Sequence, residues 1–235
     1  MVRNHKLDWF LVALSLVCVT VMVIASEDRL PTALKGTQAG SLLLQFPTGN
    51  QIAFNLAVGI ISAVLMFFLV VRIPERTKRL RVRRNLAVAY ESFKEASIAV
   101  FLGAIHRSYA AELPGQLKNQ QKFKEYFSQP FVPGQDRWHG VANGLDEYKI
   151  RTLVVEVEVF MNELHYTLSA IDVKEPKAFE LLKRLSHILY RSKNWSTEYD
   201  DVKGMLRFMW SLHTGWDWES GYRSTDLICE TIAAV

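Results

Sequence analysis

Residues 52–84, IAFNLAVGIISAVLMFFLVV followed by RIPERTKRLRVRR, constrain this chain more than any other stretch. The first twenty of them carry no formal charge. A helix rising 1.5 Å per residue needs about 20 apolar residues to cross a hydrocarbon layer about 30 Å thick, so residues 52–71 have the length of a membrane span. The cationic run then gives the span a direction, because Lys and Arg accumulate on the cytoplasmic side. Arg72, Arg76, Lys78, Arg79, Arg81, Arg83 and Arg84 stand against one acid, Glu75, so the strip nets +6 while the whole chain nets only +4. Residues 85–235 are therefore net acidic. Basic charge confined to a short strip beside a span suits anionic lipid head groups. A nucleic-acid groove would need that charge spread over a folded face, so direct nucleic-acid binding is not expected.

A second uncharged stretch, WFLVALSLVCVTVMVIAS, covers residues 9–26. Its eighteen residues lie near the lower limit for a span, and Trp9 suits the head-group level. A basic lead and Val23-Ile24-Ala25 also resemble a secretory signal with its cleavage site. The apolar run exceeds the roughly 7–15 residues of a signal core, which favours an uncut anchor. The two stretches predict a transmembrane hairpin within residues 1–84, with both chain ends in the cytoplasm. Residues 27–51 are then the outer connection. Pro31, Gly36, Gly40, Pro47 and Gly49 disfavour a long helix there, and SLLLQF (41–46) is too short to cross.

Neither span holds a charged residue, which argues against an ion-coupled carrier. Within residues 52–71, Asn55, Gly59, Ser62 and Met66 follow steps of four, three and four, and Gly59 with Ala63 forms a small-x-x-x-small pair. This stripe either packs on residues 9–26 of the same chain, the favoured reading, or builds a homo-oligomer.

Pro74 is expected to end or kink the span. A long helix is predicted over residues 77–112, stopped by Leu113-Pro114-Gly115, then a short helix within 116–128 and a loop over 129–144. Leu153, Val157, Phe160, Leu164 and Leu168 predict a helix within 145–171, although Val155, Val157 and Val159 alternating with Glu156 and Glu158 also permit a strand. Further helices follow Pro176, with Phe179, Leu182, Leu185 and Leu189 inward, and Trp195-Ser196-Thr197-Glu198, which offers a hydroxyl cap. The latter helix should bury Met205, Phe208, Met209 and Leu212 and end at Gly215, before a last helix opening at Ser224-Thr225. Residues 85–235 thus read as one cytoplasmic all-α domain of about five helices.

Chemistry is sparse. His5, His106, His139, His165, His187 and His213 include no pair three or four apart, so no helix turn presents a ready metal site. Cys18 and Cys229 would lie in different compartments, which excludes a pair, and both are expected to act as small apolar fillers. Neither a nucleophile elbow nor a phosphate loop is found, and no catalytic, metal or cofactor-binding residue is expected. One concentration stands out. Trp195, Trp210, Trp216, Trp218 and Tyr222 crowd the C-terminal part, as core or as a partner-docking surface centred on Trp216, Trp218 and Tyr222.

Two spans, a small outer loop, a basic collar over Arg72–Arg84 and a helical cytoplasmic domain without motifs resemble the two-span effectors carried beside retron reverse transcriptases in bacterial antiphage defence. That resemblance covers residues 9–84 as architecture. It implies inner-membrane damage and abortive infection under control of a reverse transcriptase–RNA/DNA complex. A different class, a non-toxic membrane-tethered adaptor or sensor docking a cytosolic partner, fits the same elements, and an enzyme fits them least.

Overall fold

The computed structural model describes residues 2–26, 50–217 and 221–235. The outer connection expected at 27–51, SLLLQF included, lies almost wholly outside the described residues, as does Trp218. The fold is all-α apart from two short hairpins, and the chain divides into two compact units, Met1–Lys78 and Arg79–Val235.

In the first unit, α1 (Val2–Ala25) pairs with α2 (Gln51–Met66), which passes into a π-helical turn, Phe67–Arg72. The lead before Trp9 is itself helical. Asp8, in the second turn of α1, meets Arg72 at 2.6 Å beyond the far end of α2, so the two rods run antiparallel. Their side chains turn outward almost everywhere: Trp9 is 73% exposed and Ile52 82%. α1 and the continuous helix that begins at Gln51 are each long and apolar enough to cross a membrane. The hydroxyls of Ser15 and Thr20 donate to the carbonyls of Leu11 and Leu16 at 2.8 and 2.9 Å, leaving neither polar group bare on the apolar surface.

Pro74 does not end the helix. The chain continues into α3 (Ile73–Ile105), and the adjustment falls just upstream, where the Ile73 N–H donates to the Phe68 carbonyl five residues back. In ordinary α-helical register the proline ring would press on the carbonyl of Val70; a wide turn beside it is a recognised way to absorb that clash.

In the second unit, α3 supplies the central wall. Val82, Leu86, Tyr90, Phe93, Ser97 and Phe101 recur at threes and fours and are buried. The helix stops at Ile105, short of Glu112, and Leu113-Pro114-Gly115 starts a single helical turn, α4 (Leu113–Gln116), with Pro near its beginning, where a missing N–H costs nothing. Asn119 caps α5 (Gln120–Phe127), accepting from the Gln121 and Lys122 N–H groups. Phe123 and Phe127 of α5 pack edge-on against Phe101. The loop expected over 129–144 is instead a hairpin, β1 (Pro130–Val132) with β2 (Gln135–Asp136), and a helix, α6 (Arg137–Gly144), capped by Asp136. Gly and Pro there mark the hairpin turn and a close packing point rather than a structureless loop.

The valine-rich segment is helical, in α7 (Glu147–Ala170), capped by Asp146. Leu153, Val157, Phe160 and Leu164 face inward while Val155 and Val159 are exposed, the 3.6-residue period overriding β-propensity. Phe160 stacks on Phe93 with ring centres 5.2 Å apart. The Ser186 hydroxyl on α8 (Pro176–Arg191) meets His165 Nε2 of α7 at 2.6 Å. Ala178 takes the inward place expected for Phe179, which is half exposed. In α9 (Tyr199–Thr214) Glu198 makes no side-chain cap; the Ser196 hydroxyl instead donates to Asp201 and accepts from the Glu198 N–H. Gly215 ends α9 at φ 66°, a conformation that favours glycine. The chain then forms β3 (Trp216–Asp217) and β4 (Gly221–Tyr222). The final helix, α10 (Leu227–Ala234), is capped by Asp226 rather than by Ser224 or Thr225.

One close approach gives a direct test of this packing. A Cβ on Gly144 would fall far inside contact distance of the Ala104 carbonyl on α3, whereas one on Gly103 meets nothing within 4 Å. Gly144→Ala is therefore expected to cost about 3 kcal/mol, and Gly103→Ala to add about 0.5–1 kcal/mol by raising helix propensity. Thermal unfolding of the full-length protein in detergent, followed by circular dichroism, reads both. Equal stability of the two variants would reject the α3–α6 approach.

Candidate functional site

Two places carry the residues singled out by sequence, and a third emerges only from the fold. The first is the antiparallel pair. Its contact runs through Cys18 and Ala25 of α1 and Ala57 and Val64 of α2, mostly small side chains that let backbones approach. The stripe Asn55, Gly59, Ser62, Ala63 and Met66 is exposed and does not form this contact. The face of α2 that packs on α1 is the one carrying Ala57 and Val64, not the polar stripe. Of the basic strip, Arg72 is drawn into the Asp8 pair and keeps 13% exposure. Arg76, Lys78, Arg81 and Arg84 are exposed, Arg79 is half-buried, and Arg83 donates from Nη1 to the Ala233 carbonyl at 3.4 Å. At 100° per residue the charges from Arg76 to Arg84 surround the helix rather than line one side.

The second place is the aromatic C-terminal region, and it splits. Trp210 packs on Trp138 and Phe123, with ring centres 5.2 and 6.0 Å apart, as core. Trp195 leans on Phe208. Trp216 is half-buried and pairs in register with Tyr222 across the β3–β4 hairpin. Tyr222 is 48% exposed, and Lys124 Nζ stands 3.4 Å from its ring centre. Trp216 is therefore part of a strand pair, and Trp218 lies outside the described residues.

Beside this hairpin lies the third place, a polar cleft of about 760 Å³ that sequence reasoning did not find. Its lining includes the buried Lys94 with Asp226, and Lys118, Lys124, Tyr222 and Cys229. Asp226 is the hub. Its carboxylate accepts from Lys94 Nζ at 2.9 Å and from the Tyr90 hydroxyl at 3.0 Å, and it accepts the Ile228 and Cys229 N–H groups as helix cap. Lys94 keeps only 3% of its side-chain surface. A lysine between Phe93 and Ser97 on an apolar face was the available signal, since a buried cation requires a partner. Lys118 sits between Glu95 and Glu91 at 3.0 and 3.4 Å. The Glu95 bond, against burial and together with Glu91, raises its pKa.

Burial and the Asp226 carboxylate raise the Tyr90 phenol well above its usual range. Burial first, then Asp226, pushes the Cys229 thiol to about 11, so it is protonated at neutral pH and a poor nucleophile. Cys229 is also exposed, not the buried filler expected. His213, wholly buried, makes a 2.9 Å contact from Nε2 to the Ser97 hydroxyl, and burial, with Lys94 nearby, lowers its pKa to about 3. General acid–base work at neutral pH needs a group titrating near 7, and both Cys229 and His213 are moved away from it. Among the described residues, no group of three His, Cys, Asp or Glu could hold a metal ion. No family model matches the chain, and no curated protein or solved structure matches it.

Proposed function

We propose that the protein is an inner-membrane effector of a bacterial antiviral defence system of the retron type. A partner complex, a reverse transcriptase with its RNA–DNA product, holds it silent through the cytoplasmic domain. Once released, hairpins assemble and breach the membrane, and the infected cell stops growing before the virus is made. In this reading α1 and the helix from Gln51 both cross the bilayer, the basic strip lies on anionic cytoplasmic lipid, and both chain ends are cytoplasmic. The observation that carries it is the outward face of α2. Asn55 and Ser62 are exposed there, beside Gly59 and Ala63, on a helix otherwise suited to lipid. An amide facing hydrocarbon is costly unless another helix meets it, so the face favours association of copies.

The test is entry of propidium iodide into cells expressing the protein alone and together with its genomic neighbours. Expression alone is expected to permeabilise most cells, and a neighbour to suppress this. Asn55→Leu with Gly59→Leu is expected to cut permeabilised cells at least tenfold with insertion unchanged. Killing that survives this double change would discard assembly through the α2 face. A second reading, a non-toxic membrane-tethered adaptor, is favoured by the polar cleft and the exposed Tyr222. It expects harmless expression in every context.

A further inference from the structure

Alongside the basic strip runs a groove of about 560 Å³ between α3 and α10, a volume in the range of small-molecule sites. Leu80, Ala87, Ile232 and Ala233 make it apolar, and Arg83 and Arg84 enter it from α3 between Leu80 and Ala87. Glu91 and Cys229 close one end. The acid there is already answered, since Lys118 Nζ lies 3.4 Å from the Glu91 carboxylate. Arg83 ties the two walls together through its bond to the Ala233 carbonyl, at the negative end of the α10 dipole. Arg84 is exposed and makes no ion pair or hydrogen bond among the described residues. Leu80 is 57% exposed, an apolar side chain with nothing over it. The groove thus offers cationic donors suited to a phosphate, flanked by a surface suited to hydrocarbon.

We propose that this groove takes one anionic phospholipid, its phosphate against Arg83 and Arg84 and an acyl chain along Leu80, Ala87, Ile232 and Ala233. The proposal rests on the membrane location argued above. Leu80 is nine residues beyond Val71, and nine residues reach at most about 30 Å, so the groove stays within tether range of the head groups. Two of the seven cations in the strip therefore differ from the rest: they border an apolar slot, and recognition there depends on lipid class rather than on diffuse surface charge alone.

The test uses full-length protein in nanodiscs of phosphatidylcholine with one-fifth phosphatidylglycerol. A trace of lipid carrying a photoreactive diazirine in its acyl chain is added, either as the glycerol or as the choline head group, and labelled peptides are mapped by mass spectrometry. The phosphatidylglycerol probe is expected to label the α10 peptide, residues 227–234, at least tenfold more than the phosphatidylcholine probe, while both label the spans. Arg84→Gln and Arg83→Gln/Arg84→Gln should each reduce α10 labelling at least fivefold and leave span labelling unchanged. The single change touches an exposed side chain without partners among the described residues, so loss of folding is not at issue. Labelled spans with an unlabelled α10 overturn the proposal, as does equal α10 labelling by the two probes or by the arginine variants. Absence of label from the spans as well overturns the membrane reading itself.

Discussion

Asp226→Asn is expected to destabilise the protein by about 3–5 kcal/mol, although the side chain changes hardly at all in shape. An asparagine oxygen can still accept the Ile228 and Cys229 N–H groups, so the cap on α10 survives. What disappears is the negative charge opposite Lys94, whose ammonium is buried beneath Tyr90 and α10 with 3% of its side chain exposed. Removing one partner of a buried pair leaves an uncompensated ion, whereas removing both can be nearly neutral. Lys94→Met combined with Asp226→Asn should accordingly recover most of the loss. At roughly 2–4 °C per kcal/mol, the single variant should melt about 10 °C below the parent. Circular dichroism of the full-length protein in detergent measures all three. A double variant as unstable as Asp226→Asn alone would mean that the carboxylate acts through something other than Lys94.

Mild acid should weaken the fold through His213. The ordinary histidine pKa is about 6.5. In the folded chain the group sits near 3, because burial between aromatic rings disfavours the imidazolium and Lys94 repels it. Phe123 stacks on the ring at 4.7 Å and Phe101 meets it edge-on at 5.8 Å. Between pH 3 and 6.5 the unfolded chain binds a proton that the folded chain refuses, so stability rises with pH across that window. Full stability is reached above about pH 7, and it is lost as pH falls. A proton held by the unfolded chain alone changes stability by about 1.4 kcal/mol per pH step of one, so on going from pH 7 to pH 5 the loss is on the order of 2 kcal/mol.

His213→Phe should remove that component. The Ser97 hydroxyl remains satisfied by the Phe93 and Lys94 carbonyls at 2.8 and 3.0 Å, and the buried, unpartnered Nδ1 is eliminated. Urea unfolding at pH 7 and pH 5 is expected to separate the parent from the variant by the stability each loses between the two. The same pH dependence in both would place the acid sensitivity elsewhere.

The helices were largely legible because their signals are local. An uninterrupted apolar run, a 3.6-residue period and a capping side chain act within a few residues, so α7, α8 and the end of α9 at Gly215 follow the sequence closely. Punctuation residues were less reliable. Pro74 lies inside continuous helix, and the glycines and prolines of 129–144 serve a hairpin and a tight helix contact. A proline or glycine restricts what the backbone can do locally, but neighbours decide which allowed form is used.

The candidate site was almost entirely illegible. Lys94 and Asp226 are separated by 132 positions, Arg83 and Ala233 by 150, and Ser97 and His213 by 116. No periodicity connects such residues, since only the folded core sets them against one another. The sequence by itself determined an all-α chain with two helices of membrane-crossing length and a basic strip after the second, because length, charge and period are properties of the polymer. Only the tertiary structure decided which face of α2 meets α1, which lysine is buried and answered by which carboxylate, and where two arginines border an apolar groove. Those outcomes depend on close packing and on desolvation, and both arise between surfaces that the chain brings together from far apart.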